Sequence, residues 1–560
     1  MNKKRKTPNA FKIALAIIFI LALSLRLYGL NTIIFMEETT WAWLSGGNFE
    51  KLGLDYPTAW GDSIWPHPPA APLLYKVSAN LFGLQTMALR LVPLIFGMLS
   101  IFMVYKICKK YYNIKTALLA TGLMALSYWH ILASLQIDVD GGILTFLFLL
   151  FIYSFLEFDI SKSKKWLAFT GVVFGLSLLV KYSSVLIFIV AILFCLTKKK
   201  FDFENVKNLS LIFIIGVALF SIFPLLSLSN PETFSATTSH ASGYGSIHPS
   251  IRPIIYLLVF GTPLYIGLTI ISMKNINKKN VIFLLWIFFI LIMYTLFLGP
   301  YNAEGPFARY LMVIIPPLCI LGGDFLSRIK FDKKDIYLLS ILFVISFLSI
   351  FLINIMNARY LDHNIQKYIE EAANLRWDYN FPIMANSEPG FWINFNSLAA
   401  VSIISITIIV ILLLLKNTNT RPFKILLIIF IAITLAFNIF FVQEFLFHTT
   451  HPDITKVTYE MVDYYEQKGF TGPICTNALS FSFYLDKKNT GKTELYLLFG
   501  NETNDELQLK PAIENNATLM ITEYYPTIAK NSRTWELINQ CELLKKFDDK
   551  NVTMGYIFSC

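Results

Sequence analysis

Charge is scarce in this chain. Only 15% of its 560 residues are Asp, Glu, Lys or Arg, against roughly 25% in a soluble domain. That deficit excludes an ordinary water-soluble enzyme. Cysteine is also sparse: six residues, none in a CxxC pair, so zinc-ribbon and dithiol redox chemistry have no signature here. Cys108, Cys195 and Cys319 lie in or beside apolar runs. Cys475, Cys541 and Cys560 lie in a polar tail, where one disulfide can form with a pairing that sequence does not reveal. No internal repeat is visible, which argues against the inverted-repeat plan of many transporters. No small-x-small cleavage site follows the first apolar run, so that run reads as a retained span rather than a signal peptide.

What the chain has in excess is apolar sequence, 55% of all residues. Many windows hold about 18 or more apolar residues, enough to cross a hydrocarbon core of roughly 30 Å. The reading is a polytopic α-helical membrane protein with about thirteen spans, near 11–30, 88–107, 116–135, 141–158, 166–180, 182–197, 209–228, 254–273, 281–299, 310–327, 336–356, 397–415 and 423–441. Every second loop is basic, from MNKKRK at the start through KICKKYYNIK, SKSKK, TKKK, KNINKK, RIKFDKK and KNTNTRPFK. The intervening loops carry the carboxylates. By the positive-inside rule the amino terminus is cytoplasmic and the tail lies outside. The net charge of +10 is therefore a topology signal, and no nucleic-acid partner is expected. Three outer segments are long, 31–87, 229–253 and 357–396. Loops of that length are usually functional or disordered. These are rich in Trp, Tyr and Pro, so ordered structure lying on the membrane is expected. Residues 1–441 form the membrane domain. Residues 442–560 read as a small extracytoplasmic α/β domain, with strand-like PICTNAL, ATLMITEYY and MGYIFSC between helical stretches such as TYEMVDYYEQKGF.

The candidate chemistry clusters at outer span ends. In FMEETTW, Glu37 and Glu38 leave the first span, followed by Trp41 and Trp43 as interfacial anchors. Carboxylates at a membrane edge are costly unless solvated or paired. The plain alternative is a wet interfacial loop. Adjacent helical residues point about 100° apart, so at most one of the pair faces a shared cavity. On the same side lie Asp138 and Asp140 in SLQIDVDGG, Lys181 in LLVKYSS, Arg90 in MALRLVP, and Arg309 with Tyr310 in FARYLMVIIPP. Single charges at span ends often only snorkel to water. Converging on one side, they provide carboxylates for proton abstraction and cations for a leaving phosphate. His67 sits in WPHPPAAPLLYK, where the prolines force an extended backbone that fixes its direction.

The order of these motifs resembles a known family. A carboxylate pair follows the first span, then HPP-x-x-P-L-L-Y, ALRLVP, a basic YKICKKYY, ALLATGLMALS, an Asp before a Phe-rich span, GVVFGLSLLVKYSS and FARYLMVIIPPL. Over about residues 11–330 this is similar to the C-type (GT-C) membrane glycosyltransferases, in the superfamily of protein O-mannosyltransferases and lipid A aminoarabinose transferases. The resemblance implies transfer, with inversion, of a sugar from a polyprenyl-phosphate donor to an acceptor hydroxyl or phosphate on the outer face. Divalent metal and other cofactors are not expected. The partners are the lipid bilayer, the lipid-linked donor and an acceptor of unknown class. The family's motif is usually Asp-Glu. Pair-to-pair matching places Glu37 on its base or acceptor-orienting acid and Glu38 on the partner. A second register, Met36-Glu37, makes Glu37 the partner instead, so Glu37 stays in the site under both. His67 falls on the position before the prolines, Asp140 or Asp138 on the second-loop acid, and Lys181 and Arg309 on phosphate-contacting cations. Three other readings stay open: a flippase for a lipid-linked sugar, a metal-dependent oligosaccharide transferase, and a non-catalytic scaffold.

Overall fold

The computed structural model describes residues 9–35, 38–39, 41–42, 55–58, 61–64, 68–198, 203–222, 249–251, 253–254, 257–258, 262–297, 307–356, 358–361, 365–385, 388–415, 418, 420–486, 495–498, 502–524 and 528–560. The protein is mostly helical. Among the described residues nine helices are long and apolar enough to cross a membrane, and Ile114–Leu126, Tyr182–Thr197 and Thr262–Ser272 are shorter apolar helices. The remaining expected run is the helix Lys164–Val180. Each of the thirteen runs is thus helical over part of its length, while nine suffice by length and composition.

Two runs depart from a plain span for local reasons. The run 116–135 breaks at Ser127, whose extended backbone (ψ 118°) ends Ile114–Leu126, and whose hydroxyl accepts from the His130 amide to start Tyr128–Ala133. The run at 310 begins as a 3-10 turn, Phe307–Ile314, and becomes α-helical at Ile315–Arg328, where Pro316 and Pro317 occupy the first turn. Proline is tolerated there because those amides lack intrahelical acceptors anyway.

Burial sorts the helices. Gly142–Ser161 is buried along most of its length and forms the middle of the bundle. Lys333–Asn354 buries only Asp335, Ile350 and Asn354. It presents Ile336, Ile341, Val344, Leu348 and Leu352 outward, a face that lipid covers at no cost. Ala70–Phe82, in the 31–87 segment where ordered structure lying on the membrane is expected, is helical. It is an amphipathic helix with Leu73, Val77 and Leu81 exposed on one side and Ala71, Tyr75 and Ala79 buried on the other. That four-residue spacing suits a helix lying in an interface.

The third outer segment folds as a three-stranded sheet. β3 (Arg359–Tyr360) runs parallel to β4 (Tyr379–Ala385), which pairs antiparallel with β5 (Glu388–Asn394). The first outer segment contains a two-stranded hairpin, β1 (Asp55–Thr58) and β2 (Gly61–Ile64). Nearly all of the 229–253 segment lies outside the described residues.

Beyond the last long helix, Arg421–Phe447, the tail builds a five-stranded sheet in the order β7-β6-β8-β10-β9. The strands are β6 (Ile474–Thr476), β7 (Leu495–Leu497), β8 (Thr518–Thr522), β9 (Glu542–Asp549) and β10 (Val552–Ser559). The three apolar runs read as strands are β6, β8 and β10, and the polar amphipathic stretch is the helix Ile454–Lys468. β9 and β10 join through Lys550 and Asn551, both at positive φ (49° and 63°). Two such residues match the twist of a tight hairpin. The Lys550 ammonium donates to the carbonyls of His448 and His451, which ties this turn to the end of the last long helix. Cys541 and Cys560 form the disulfide, while Cys475 is buried and reduced. The tail also grips the start of the first outer segment. The Ile34 amide donates to the Tyr484 hydroxyl (2.9 Å), and the Ile33 amide donates to Thr455 Oγ1 (3.2 Å).

Candidate active site

The site is built on the turn 134–141, between Tyr128–Ala133 and Gly142–Ser161. Two consecutive glycines let this turn pack against neighbouring backbone. A Cβ on Gly141 would stand 2.6 Å from the Ala133 carbonyl oxygen, and one on Gly142 2.6 Å from that of Pro93. Within the turn, Asp138 Oδ1 accepts from the Gly141 amide (2.9 Å). From the interfacial helix, the Tyr75 hydroxyl donates to the Asp138 carbonyl (2.6 Å). The last residue of HPP-x-x-P-L-L-Y thereby holds the acidic turn.

Asp140 is the hub of a buried ionic cluster. Its two oxygens accept from Lys181 Nζ at 2.6 and 2.7 Å, and Arg309 Nε lies 3.8 Å from Oδ2. Lys181 reaches it from the C-terminal end of Lys164–Val180, where the chain turns extended. Its ammonium also sits 4.0 Å above the Tyr310 ring. Arg309 Nη2 donates to the Tyr310 hydroxyl (3.3 Å), and Tyr310 stacks on Tyr294 with centroids 5.6 Å apart. Thus Asp140, Lys181, Arg309 and Tyr310, distant in sequence, meet. Two cations converge on the Asp140 carboxylate. Asp138 Oδ2 is buried with no hydrogen-bond partner among the described residues, and neither side-chain polar atom of Gln136 has one. Burial lifts both carboxyls above the usual range. For Asp138, the larger shift, Asp140's charge adds to burial; for Asp140, the Lys181 ammonium opposes it.

Glu38 and Arg90 form a second pair, adjoining this turn. Glu38 is fully buried. Its Oε1 accepts from the Ile137 amide (2.7 Å), and its Oε2 accepts from the Phe35 amide (2.8 Å) and from Arg90 Nη2 (3.0 Å). Arg90 also donates to the carbonyls of Thr32 (2.7 Å) and Ile33 (2.6 Å) and to the Thr32 hydroxyl. Both oxygens of Glu38 are therefore occupied in pinning the first outer segment onto the 134–141 turn. Arg90 faces this segment rather than the Asp140 cluster. Glu37 and His67 lie outside the described residues.

Sequence reasoning passed over several members of the site. Tyr75 was quoted in its motif without a role, and Gln136 lies two residues before a chosen Asp. Tyr484 sits in the tail, where nothing local marks it. Another omission is Arg26, fully buried and paired with no carboxylate among the described residues. It donates to Ser134 Oγ (3.0 Å) and the Ala22 carbonyl (2.8 Å), and its Nη2 lies 2.8 Å from His130 Nδ1. This set supports the turn from below. Among the described residues no three His, Cys, Asp or Glu side chains gather as metal ligands.

The raised Asp138 carboxyl gives a signed pH prediction. The folded state holds this proton more tightly than the unfolded chain. The associated stability is complete below the ordinary carboxylate value of about 3.9 and is lost as pH rises through the raised value. Asp138→Asn keeps the bond from Gly141 and removes the titration. The variant should melt above the parent at pH 8, with a smaller gap at pH 5, as read by detergent-solubilised thermal unfolding. An equal gap at both pH values would refute the assignment.

A family model described as dolichyl-phosphate-mannose-protein mannosyltransferase matches residues 66–227. The solved structure of ArnT from Cupriavidus metallidurans in the apo state aligns over 97% of both chains with a TM-score of 0.59 at 14% identity. The same protein bound to undecaprenyl phosphate aligns over 97% of both chains at 0.58 and 13%. The oligosaccharyltransferase of Archaeoglobus fulgidus in apo form aligns over 91% of this chain and 69% of its own, at 0.47 and 12%. No curated protein sequence matches the chain. The fold of the chain is ArnT-like, and residues 66–227 resemble the mannosyltransferase family.

Proposed function

We propose that this protein is an inverting transferase that takes a sugar from a polyprenyl-phosphate carrier and passes it to an acceptor hydroxyl or phosphate at the outer face of the membrane. The observation that carries this reading is the Asp140–Lys181–Arg309 cluster, in which two cations from separate helices converge on one carboxylate. A phosphodiester donor is a monoanion, and its lipid tail keeps the phosphate at the end of the spans. The ArnT structure solved with undecaprenyl phosphate supports a donor of that class. Lys181 and Arg309 contact the phosphate, while Asp140 holds their charge before donor arrives.

In the reaction the acceptor oxygen attacks the anomeric carbon and the bond from that carbon to the phosphate oxygen breaks. Glu37 takes the acceptor proton, and Lys181 and Arg309 stabilise the charge on the departing polyprenyl phosphate. A single in-line displacement inverts the anomeric centre. Glu38 and Arg90 act as positioning residues for the segment that bears Glu37. Asp138 and Tyr310 line the cluster, and His67 orients substrate. No divalent metal takes part. An outward tail is supported by the alternation of basic loops and by the Cys541–Cys560 disulfide, since such bonds persist in oxidising compartments.

The test uses purified protein in liposomes with polyprenyl-phosphate mannose and polyprenyl-phosphate aminoarabinose, following release of polyprenyl phosphate. Turnover with either donor and a drop of about 10²-fold or more in Glu37→Gln are expected, with no effect of EDTA. Full activity in Glu37→Gln removes Glu37 as base. Strong inhibition by EDTA selects the metal-dependent oligosaccharide branch. Movement of donor between leaflets without turnover makes the protein a flippase. Mass spectrometry of surface glycans and glycoproteins in a deletion strain identifies the acceptor.

A further inference from the structure

A cleft of about 670 Å³ opens between the third outer segment and the tail sheet, away from the Asp140 cluster. Its size falls within the roughly 300–1,000 Å³ of small-molecule sites. One wall is aromatic. Tyr360 on β3 meets Trp392 on β5 edge-to-face, with centroids 5.7 Å apart at 81°. The other wall is polar. Glu523 follows β8, and the carboxylate of this residue pairs with Lys530 Nζ at 3.1 Å. Asn531 and Asn551 add two exposed amides, Asn551 from the positive-φ turn that Lys550 anchors.

Tyr360 offers the accessible ring, 37% exposed, and the buried Trp392 backs it. The wall chemistry selects the occupant. A pyranose has a C–H face that packs on an aromatic ring and a rim of hydroxyls. Amide, carboxylate and ammonium groups can both donate to and accept from those hydroxyls. A lipid chain would leave the two asparagine amides unmatched.

We propose that this cleft is a carbohydrate-binding site, distinct from the transfer centre, that holds a pyranose unit. The inference does not depend on the catalytic reading, because binding is measured without donor. The experiment is saturation-transfer NMR on the full chain in nanodiscs, with methyl α-mannopyranoside, methyl β-glucopyranoside, methyl β-galactopyranoside and methyl 4-amino-4-deoxyarabinopyranoside. At least one should give a signal. Asn531→Ala combined with Asn551→Gly, which removes both exposed amides and suits the positive φ at 551, should weaken binding about tenfold. Tyr360→Ala, which removes the exposed ring, should weaken it as well. Lys181→Met combined with Asp140→Asn, which leaves no buried charge unpaired, should leave the signal unchanged. The proposal is overturned if no pyranoside gives a signal, if the double asparagine variant binds as the parent does, or if the Lys181→Met, Asp140→Asn variant folds and loses the signal, which places the sugar in the transfer centre.

Discussion

Arg90→Ala should destabilise the protein by about 3–5 kcal/mol, because it strips the partner from a carboxylate that has no route to water. Glu38 is fully buried and Arg90 is 1% exposed. The guanidinium satisfies Glu38 Oε2 and three further oxygens of residues 32–33. Removing it leaves a buried charge and orphaned carbonyls together. The cost should fall sharply in Arg90→Leu combined with Glu38→Leu, since no charge then remains unpaired. Thermal unfolding of the single and double variants in detergent checks this as a double-mutant cycle. A single variant that melts within a degree of the parent, or a double variant that is no better than either single, would show that the pair does not carry the segment. Both singles should also lower transfer, since 31–38 loses its hold on the 134–141 turn.

Lys181→Met should lower kcat/KM for the lipid-linked donor by about 10²–10³, the usual effect of removing one preorganised electrostatic contact. The variant also leaves Asp140 buried without its closest cation, so stability falls with activity. Asp140→Asn added to Lys181→Met separates the two effects. The double variant should regain the parent's melting temperature while transfer stays low. Recovery of transfer along with stability would mean that Lys181 only shields Asp140. Near-normal turnover in the stable double variant would remove Lys181 from phosphate binding.

The membrane architecture was legible because lipid imposes one simple rule: backbone polar groups must be bonded within the segment. Apolar runs therefore mark helices without knowledge of their partners. Asp140, Lys181, Arg309 and Tyr310 were legible for the same reason, since charge at a span end is expensive enough to stand out. Their mutual pairing was not legible, because it depends on how separate helices lean together. The break at Ser127 was hidden too. Its neighbours are apolar, and a single hydroxyl capping a short helix looks like any serine in a span. Arg26 sits inside an apolar run, where nothing local marks it; only packing shows it turned inward to Ser134 and His130. Of the opening carboxylate pair, Glu38 could be chosen from its motif, but its engagement with Ile137 and Arg90 follows from tertiary contact alone. In the tail, β6, β8 and β10 are legible as apolar runs, while the short β7, the charged β9 and the Cys541–Cys560 pairing come from the structure.

The hold of Tyr484 and Thr455 on residues 33 and 34 joins the two ends of the chain. Ribosomes make the early residues first and their clamp last. A nascent or truncated chain that stops before Thr455 can insert its helices yet still lacks the support its first exterior segment requires.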